Sequence, residues 1–333
     1  MTIRSSGALP FTEIENEFSD TAPHSLSEFY AGGSSVPSGT TDGSGNAIPS
    51  SGTIKFSDFY NTSNAFAFTI STTQADANLR TLAIAAGWNA SAPVTATIAS
   101  GVSLYASSTS TYGLTINGSW TNGVTLINNG TVVGKGGTGG AGHSATGFPS
   151  LSPSAQTVAQ EGTAGGTGML ISVAATLDNT NGRIAGGGGG GGGAGSYAVR
   201  YNLNNVDIVN GGPGGGGVAF GDTRGTPDPT WTSGDNSQAG IPGTVDAGGA
   251  GFGMPNTGEP NNKGGDGGGY GEAGGTGDSP ATPSTVGGHG VNLVYWSATG
   301  SHAGKAGGAA GAATSGYSNL TVTNAGTING TTG

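Results

Sequence analysis

The stretch GGGGGGGGAG, residues 186–195, decides how this chain is read. Glycine loses more backbone freedom on folding than any other residue, about 0.5–1 kcal/mol against alanine at each position. An ordered octaglycine therefore starts on the order of 4–8 kcal/mol behind an octa-alanine. Such a run is either a flexible linker or an ordered element repaid by something that only glycine permits. Related runs surround it: GKGGTGGAG (134–142), GTAGGTG (162–168), GGPGGGG (211–217), GGAGFG (248–253), GGDGGGYGEAGGTG (264–277) and GKAGGAAG (304–311). In the run at 134–142 the residues Lys135, Thr138 and Ala141 fall at every third position, the period of a polyproline-II-type helix. Helices of that kind have no internal hydrogen bonds, so their N–H and C=O groups need outside partners. Without side chains, neighbouring runs can approach closely enough to supply them. The period favours ordered packing of this polyglycine-II type over linkers, although Gly and Pro together (71 and 15 of 333 residues) reach the composition of low-complexity chains. Collagen fits poorly, because the runs are short and their phase slips.

Charged residues make up 8% of the chain, against about 25% in an ordinary globular protein. The formal net charge of −10 reflects nine Lys and Arg rather than many acids, which argues against wrapping nucleic acid or an anionic bilayer. The absence of cysteine removes disulfides, thiolate zinc sites and cysteine nucleophiles. The opening MTIRSSGALPFTEIENEF carries no apolar signal region, which implies synthesis in the cytoplasm and later exposure by another route.

Residues 1–62 hold a small repeat: SGALPFTEI (6–14) returns as SGTIKFSDF (51–59), and LSEFY (26–30) as FSDFY (56–60). Ser25 with Glu28, and Thr12 with Glu15, have capping-box spacing. Three short helical turns are expected to present Phe11, Phe29, Tyr30, Phe56, Phe59 and Tyr60, either to a partner protein or to a small core of their own. In residues 63–133, AFAFTI (65–70) reads as a strand, and QADANLRTLAIAAGW (74–88) as a helix capped by Thr72 or Thr73 and stopped by Gly87. β segments follow. Three segments share one pattern, GVTLINNGTVVG, LDNTNGRIAG and VTNAGTING: strand, Asn-containing turn, Gly, then an aliphatic and a Gly. The first two lead directly into glycine runs, so each β turn is expected to launch an extended helix.

Between the runs lie aromatic-bearing segments with Phe148, Tyr197, Tyr201, Trp231, Tyr295 and Trp296. Back-and-forth packing of successive runs would gather alternate connections at one end, where aromatic rings serve recognition or seal the bundle. Phe252 and Tyr270 sit inside glycine runs and read as structural. FSDFY is similar to repeats in bacteriophage virion and tail-fibre proteins. ANLRTLAIAAGWN together with TLINNGTVVGKGGTGG resembles glycine-rich phage tail proteins. The alternation of runs and irregular loops resembles the receptor-recognising tip adhesins of T-even-type phages, in which a polyglycine-II sandwich carries distal loops that contact the bacterium.

The resemblance implies a mainly β and irregular fold in three parts. These are a virion-attachment module (1–62) using Phe29, Tyr30, Phe59 and Tyr60, an α+β/β adaptor (63–133), and a glycine-rich receptor-binding domain (134–333). It implies a tail-fibre or tail-tip protein of the virion. Its partners would be other tail or baseplate proteins and a bacterial outer-membrane protein or surface polysaccharide. No cofactor, metal or nucleic acid is expected, and a homotrimer is left open. No P-loop, GxSxG or HExxH motif occurs. His24, His143, His289 and His302 are scattered, and the single GGDGGGYGE does not match calcium-binding nonapeptides. The rival is a tail-spike depolymerase with two acids in a β-helical groove, drawn from Asp207, Asp228, Asp235, Asp246 and Glu259. The strands read from the sequence are too few for long regular coils, so a non-enzyme is expected.

Overall fold

The computed structural model describes residues 3–42, 44, 46–62, 64–88, 90, 92–142, 144–146, 154–195, 197–202, 205–209, 211–218, 240–241, 243–244, 247–252, 263–279, 294–296 and 303–333. Among them no helix is long and apolar enough to cross a membrane.

The N-terminal module consists of helix α1 (Phe11–Phe18) and two 3-10 turns, Leu26–Phe29 and Phe56–Phe59. The expected Ser25–Glu28 box forms: Glu28 Oε2 accepts from the Ser25 N–H at 2.8 Å, and Ser25 Oγ accepts from the Ser27 N–H at 3.3 Å. The Thr12–Glu15 box does not form, because the helix starts at Phe11 behind Pro10 and places Thr12 inside the first turn. Ile3, Ile14, Phe18, Phe29, Val36, Ile48 and Phe59 form a private core. Phe29 and Phe59, expected as docking anchors, are 1% and 3% exposed and meet edge to face at 6.4 Å. Their area is spent on the module's own stability, as a segment of this size requires. Tyr30 and Tyr60 tie the two sequence copies together, the Tyr30 hydroxyl donating to the Gly52 carbonyl and the Tyr60 hydroxyl to the Gly7 carbonyl. Gly7 and Gly52 are equivalent positions of the repeat, so the exchange is reciprocal.

Beyond this module the chain coils. The first coil is β1 (Phe66–Ile70), β2 (Gln74–Ala75) and β3 (Ala77–Asn78). Helix α2 (Leu79–Ala85) then leads to a second coil, β4 (Val94–Ile98), β5 (Ser103–Tyr105) and β6 (Leu114–Ile116). The helix expected over 74–88 is thus shorter: its first residues pair as strands, and Asn78 caps it by accepting from the Thr81 N–H at 3.1 Å. In the third coil, β7 (Val124–Asn128) and β8 (Thr131–Val133) are followed by the run 134–142. Then come a hairpin of β9 (Ser144–Thr146) and β10 (Ser154–Thr157), a returning run 158–168, and β11 (Met169–Ile171). The fourth has β12 (Ala175–Asp178) and β13 (Arg183–Ala185). The remaining glycine runs follow, with β14 (Tyr197–Asn202), β15 (Asn205–Val209) and β16 (Val294–Trp296) between them, before β17 (Thr314–Ser315) closes it. The fifth is β18 (Leu320–Asn324) and β19 (Thr327–Asn329).

Corresponding strands of successive coils pair in parallel, giving three sheets: β1-β4-β7-β12-β18, β2-β5-β8-β13-β19 and β3-β6-β11-β17. Regular coils therefore exist, contrary to the count of strands read from the sequence. The boundary expected at 133/134 is also absent, since residues 169–185 and 314–329 complete the same three-sided solenoid as 66–133. Leu79, Ile98, Leu104, Leu114, Leu126 and Met169 fill its interior. The three related segments are stacked corners of consecutive coils. Asn128 Nδ2 donates to Asn179 Oδ1 at 2.7 Å, and Asn179 Nδ2 to the Ala325 carbonyl at 2.6 Å. Both asparagines are fully buried.

The glycine runs are two insertions at one corner of this solenoid, between β8 and β11 and between β13 and β17. Residues 186–195 are buried throughout. Every N–H from Gly186 to Gly195 donates to another segment, with a repeat of three. Gly187, Gly190 and Gly193 donate to Gly166, Thr163 and Gln160; Gly188, Gly191 and Ala194 to Val218, Gly215 and Gly212; Gly189, Gly192 and Gly195 to Glu272, Gly275 and Asp278. The carbonyls of Gly186 to Gly193 accept in the same rhythm from the runs 134–142, 263–271 and 303–313. One run is thereby surrounded by six. With a net value of about 0.5–1.5 kcal/mol per hydrogen bond, two bonds per residue offset the glycine cost of about 0.5–1 kcal/mol. The spacing leaves no room for a side chain: a Cβ at Gly190 would lie 2.0 Å from the Thr138 carbonyl oxygen.

Gly190→Ala should therefore lower stability by about 1–3 kcal/mol or more. Gly101→Asn should be near neutral, because Gly101 sits at φ +79° in open space, a conformation asparagine tolerates; thermal melts of the two variants compare them. Asn179→Ala removes, at a fully buried position, the acceptor for Asn128 Nδ2 and the donor to the Ala325 and Thr327 carbonyls, and should cost about 1–3 kcal/mol, read as a lowered midpoint in urea.

Candidate functional site

Hydrogen-bond register fixes the direction of every run. Residues 134–142 and 186–195 leave the solenoid side by side, Gly134 bonding to Ala185, Gly137 to Gly188 and Gly140 to Gly191. The run 158–168 returns, as do 211–218, 263–270 and 303–313, each meeting 186–195 in descending order. Residues 272–278 run outward again, and Phe252 ends an outward pass beside Pro213. Connections 143–157, 196–210, 253–262 and 280–302 consequently all depart from the end of the bundle away from the solenoid.

At that end β14 pairs antiparallel with β15 on one side and β16 on the other. The register sets Ala198 opposite Trp296 and Val199 opposite Tyr295. Four of the six residues expected to recognise a receptor, Tyr197, Tyr201, Tyr295 and Trp296, are thus carried by two adjacent strands, although Tyr201 and Tyr295 lie 94 positions apart in sequence. Phe148 and Trp231 lie outside the described residues, as do His143, His289 and His302. The connection that holds Trp231 leaves from Val218, which accepts from Gly188 close to the solenoid, and so starts from the opposite end.

A polar clasp below the tip was not anticipated. Lys263 Nζ meets Asp266 Oδ1 at 2.7 Å, the same oxygen accepts from the Gly251 N–H at 2.8 Å, and Asp278 Oδ2 accepts from the Lys263 N–H at 2.9 Å. It joins three runs with side chains where glycine has none. Burial acts against the charged Asp266, but the Lys263 and Gly251 hydrogen bonds outweigh it and hold the carboxyl below its usual range. Its spacing in GGDGGGYGE was the available signal. Tyr270, at the other end of that run, lies under the Arg183 guanidinium at 4.9 Å and seals the bundle against the solenoid.

The acids proposed for a depolymerase do not assemble among the described residues: Asp207 is on β15, while Asp228, Asp235, Asp246 and Glu259 fall outside them. On the solenoid, hydrogen bonds from Thr180 lower the Asp178 carboxyl. At Asp76 burial opposes charge but is outweighed by Ser107 and Thr111. A general acid needs the reverse shift. No cluster of three potential metal ligands occurs among the described residues.

The family described as phage tail fibre adhesin Gp38 matches residues 65–333. The gp37–gp38 adhesin tip complex of the bacteriophage S16 long tail fibre contains a chain similar to this one. The two are 23% identical with a TM-score of 0.49, over 84% of this chain and 86% of that one. No curated protein matches the sequence.

Since the Asp266 carboxyl is lowered in the fold, its contribution is complete above the unfolded value of about 3.9 and is lost as pH falls through the folded value. Asp266→Asn should flatten the fall of melting temperature as pH drops below about 4 relative to wild type, as followed by calorimetry.

Proposed function

This chain belongs to the phage tail fibre adhesin family Gp38, and we propose that it grips its host through the β14–β15–β16 sheet and the connections beside it. A tail-fibre adhesin of a bacteriophage, it acts at the virion tail in attachment to the bacterial surface. In the proposed reading the glycine runs are a polyglycine-II sandwich, supported by their three-residue bonding period and by one run with six neighbours. That packing makes a stiff stalk with few side chains, and apart from Phe252 and Tyr270 the aromatic residues between the runs belong to the connections. Tyr197, Tyr201, Tyr295 and Trp296 supply the contact, with Phe148 as a further candidate; the connection of Trp231 starts from the other end of the bundle and takes no part in this reading. Aromatic rings give large contact area at little entropic cost and hydrogen-bond at their edges, which suits an outer-membrane protein or a surface glycan.

The observation that carries this reading is topological: four connections leave from one end of the bundle, opposite the solenoid. The action is binding without bond cleavage. The module 1–62, outside the family match, mounts the adhesin on another tail protein. Tyr30 and Tyr60 hold the module's shape for that purpose, and Phe29 and Phe59 fill its core.

Truncating Tyr295 and Trp296 together to alanine should weaken binding of the full chain to host cells about 30-fold or more, equivalent to about 2 kcal/mol, with an unchanged melting temperature. Unchanged binding removes recognition from this sheet. Release of new reducing ends from host surface glycan on incubation with the protein would turn the reading toward the depolymerase.

A further inference from the structure

The N-terminal module keeps its core closed yet leaves an apolar groove on its surface. Each of its three helical elements begins with an apolar residue of the repeat: Phe11, Leu26 and Phe56. Leu26 is 63% exposed and Phe56 50% exposed, two of the few large apolar side chains so open among the described residues. Together with Ile54 these residues wall the groove, and Phe29 and Phe59 lie at its base. The Phe11 ring packs against both Phe29 and Phe56, at 5.1 and 6.1 Å. The walls are therefore braced and not loose surface residues. A module this small gains nothing for its own fold by exposing Leu26 and Phe56 beside a filled core.

The charge of the module that carries the groove is one-sided. Lys55 is the charged residue that lines the groove, while the helical elements that supply its walls carry Glu13, Glu15, Glu28 and Asp58, with Glu17 buried against the Asn64 N–H. Arg4 is committed to Glu13 at 2.6 Å. Residues 1–62 as a whole hold seven acids and two bases. An apolar groove on a module of net negative charge calls for an occupant of apolar side chains flanked by Lys or Arg.

We propose that this groove is the seat of the tail protein that carries the adhesin, and that it receives an apolar segment with basic flanks from that protein. The proposal rests on the reading that residues 1–62 mount the chain on the virion. It goes further in naming the contact surface and the chemistry of its occupant.

The test uses the full-length chain and tail particles of its parent phage that lack it. Leu26→Glu, Phe56→Glu should reduce incorporation at least tenfold while melting temperature and host-cell binding stay as in wild type. Leu26→Ala, Phe56→Ala should fall between. Raising NaCl from about 50 mM to about 500 mM should slow wild-type association several-fold. Normal incorporation of the Glu pair overturns the groove, and salt-independent association overturns the basic occupant. Phe29→Asp, which destroys the module's core within the intact chain, separates the two levels. If it blocks incorporation while the Glu pair does not, the module mounts the adhesin by another surface. If it is incorporated normally, the mounting role itself fails. Conversion of an oligomer to monomers by the Glu pair, with particle binding intact, would assign the groove to a second copy of this chain and overturn the proposal.

Discussion

Ten consecutive buried residues with almost no side chain impose a single constraint: every backbone N–H and C=O must find a partner in another segment. An unmade hydrogen bond at such a site costs about 1–3 kcal/mol, and no apolar side chain is present to offset it. The run 186–195 meets the constraint by donating to three neighbours and accepting from three others in a three-residue cycle. The number of runs, their alternating direction and their close spacing follow from it. Alanine enters mainly on the outside, as at Ala306 and Ala309, where a Cβ meets solvent instead of a carbonyl oxygen.

A bundle of this kind cannot specify its own register, because identical glycines offer nothing to distinguish one alignment from the next. The solenoid supplies what is missing. Both insertions begin one residue after a paired strand, at Gly134 after β8 and Gly186 after β13, so coil stacking fixes where each run starts. Arg183 over Tyr270 and the Asn128–Asn179 ladder fix the corner from which they leave. At the far end the Lys263–Asp266–Asp278 clasp locks three passes just before the chain enters its connections. Side-chain chemistry is concentrated at the two ends of a shaft that has little of its own.

This division of labour fits an adhesin. The N-terminal module follows the opposite economy. Phe18, Phe29 and Phe59 are consumed by a private core, and the leading residues Leu26 and Phe56 stay exposed.

Much of this was legible before any tertiary contact was known. The three-residue spacing of Lys135, Thr138 and Ala141 gave the extended conformation, because only one side of each run can carry a Cβ. The recurrence of the Asn-turn pattern marked equivalent corners, and the Ser25–Glu28 spacing located a turn through purely local bonds. What the chain could not reveal locally was decided by contacts between distant residues. Asn179 bonds to a carbonyl 146 residues away, so the solenoid is completed by strands separated by the whole glycine-rich insertion, and no window of sequence displays its coils. Residues 74–78 follow helical spacing yet pair as strands because β5 and β6 lie alongside them. In both LSEFY and FSDFY the first residue is exposed and the fourth buried, and only the packing of the module decides which apolar position goes inside. Periodicity and turn chemistry act over a few residues and are written in the sequence; burial and register are properties of neighbours, and the neighbours here come from the far end of the chain.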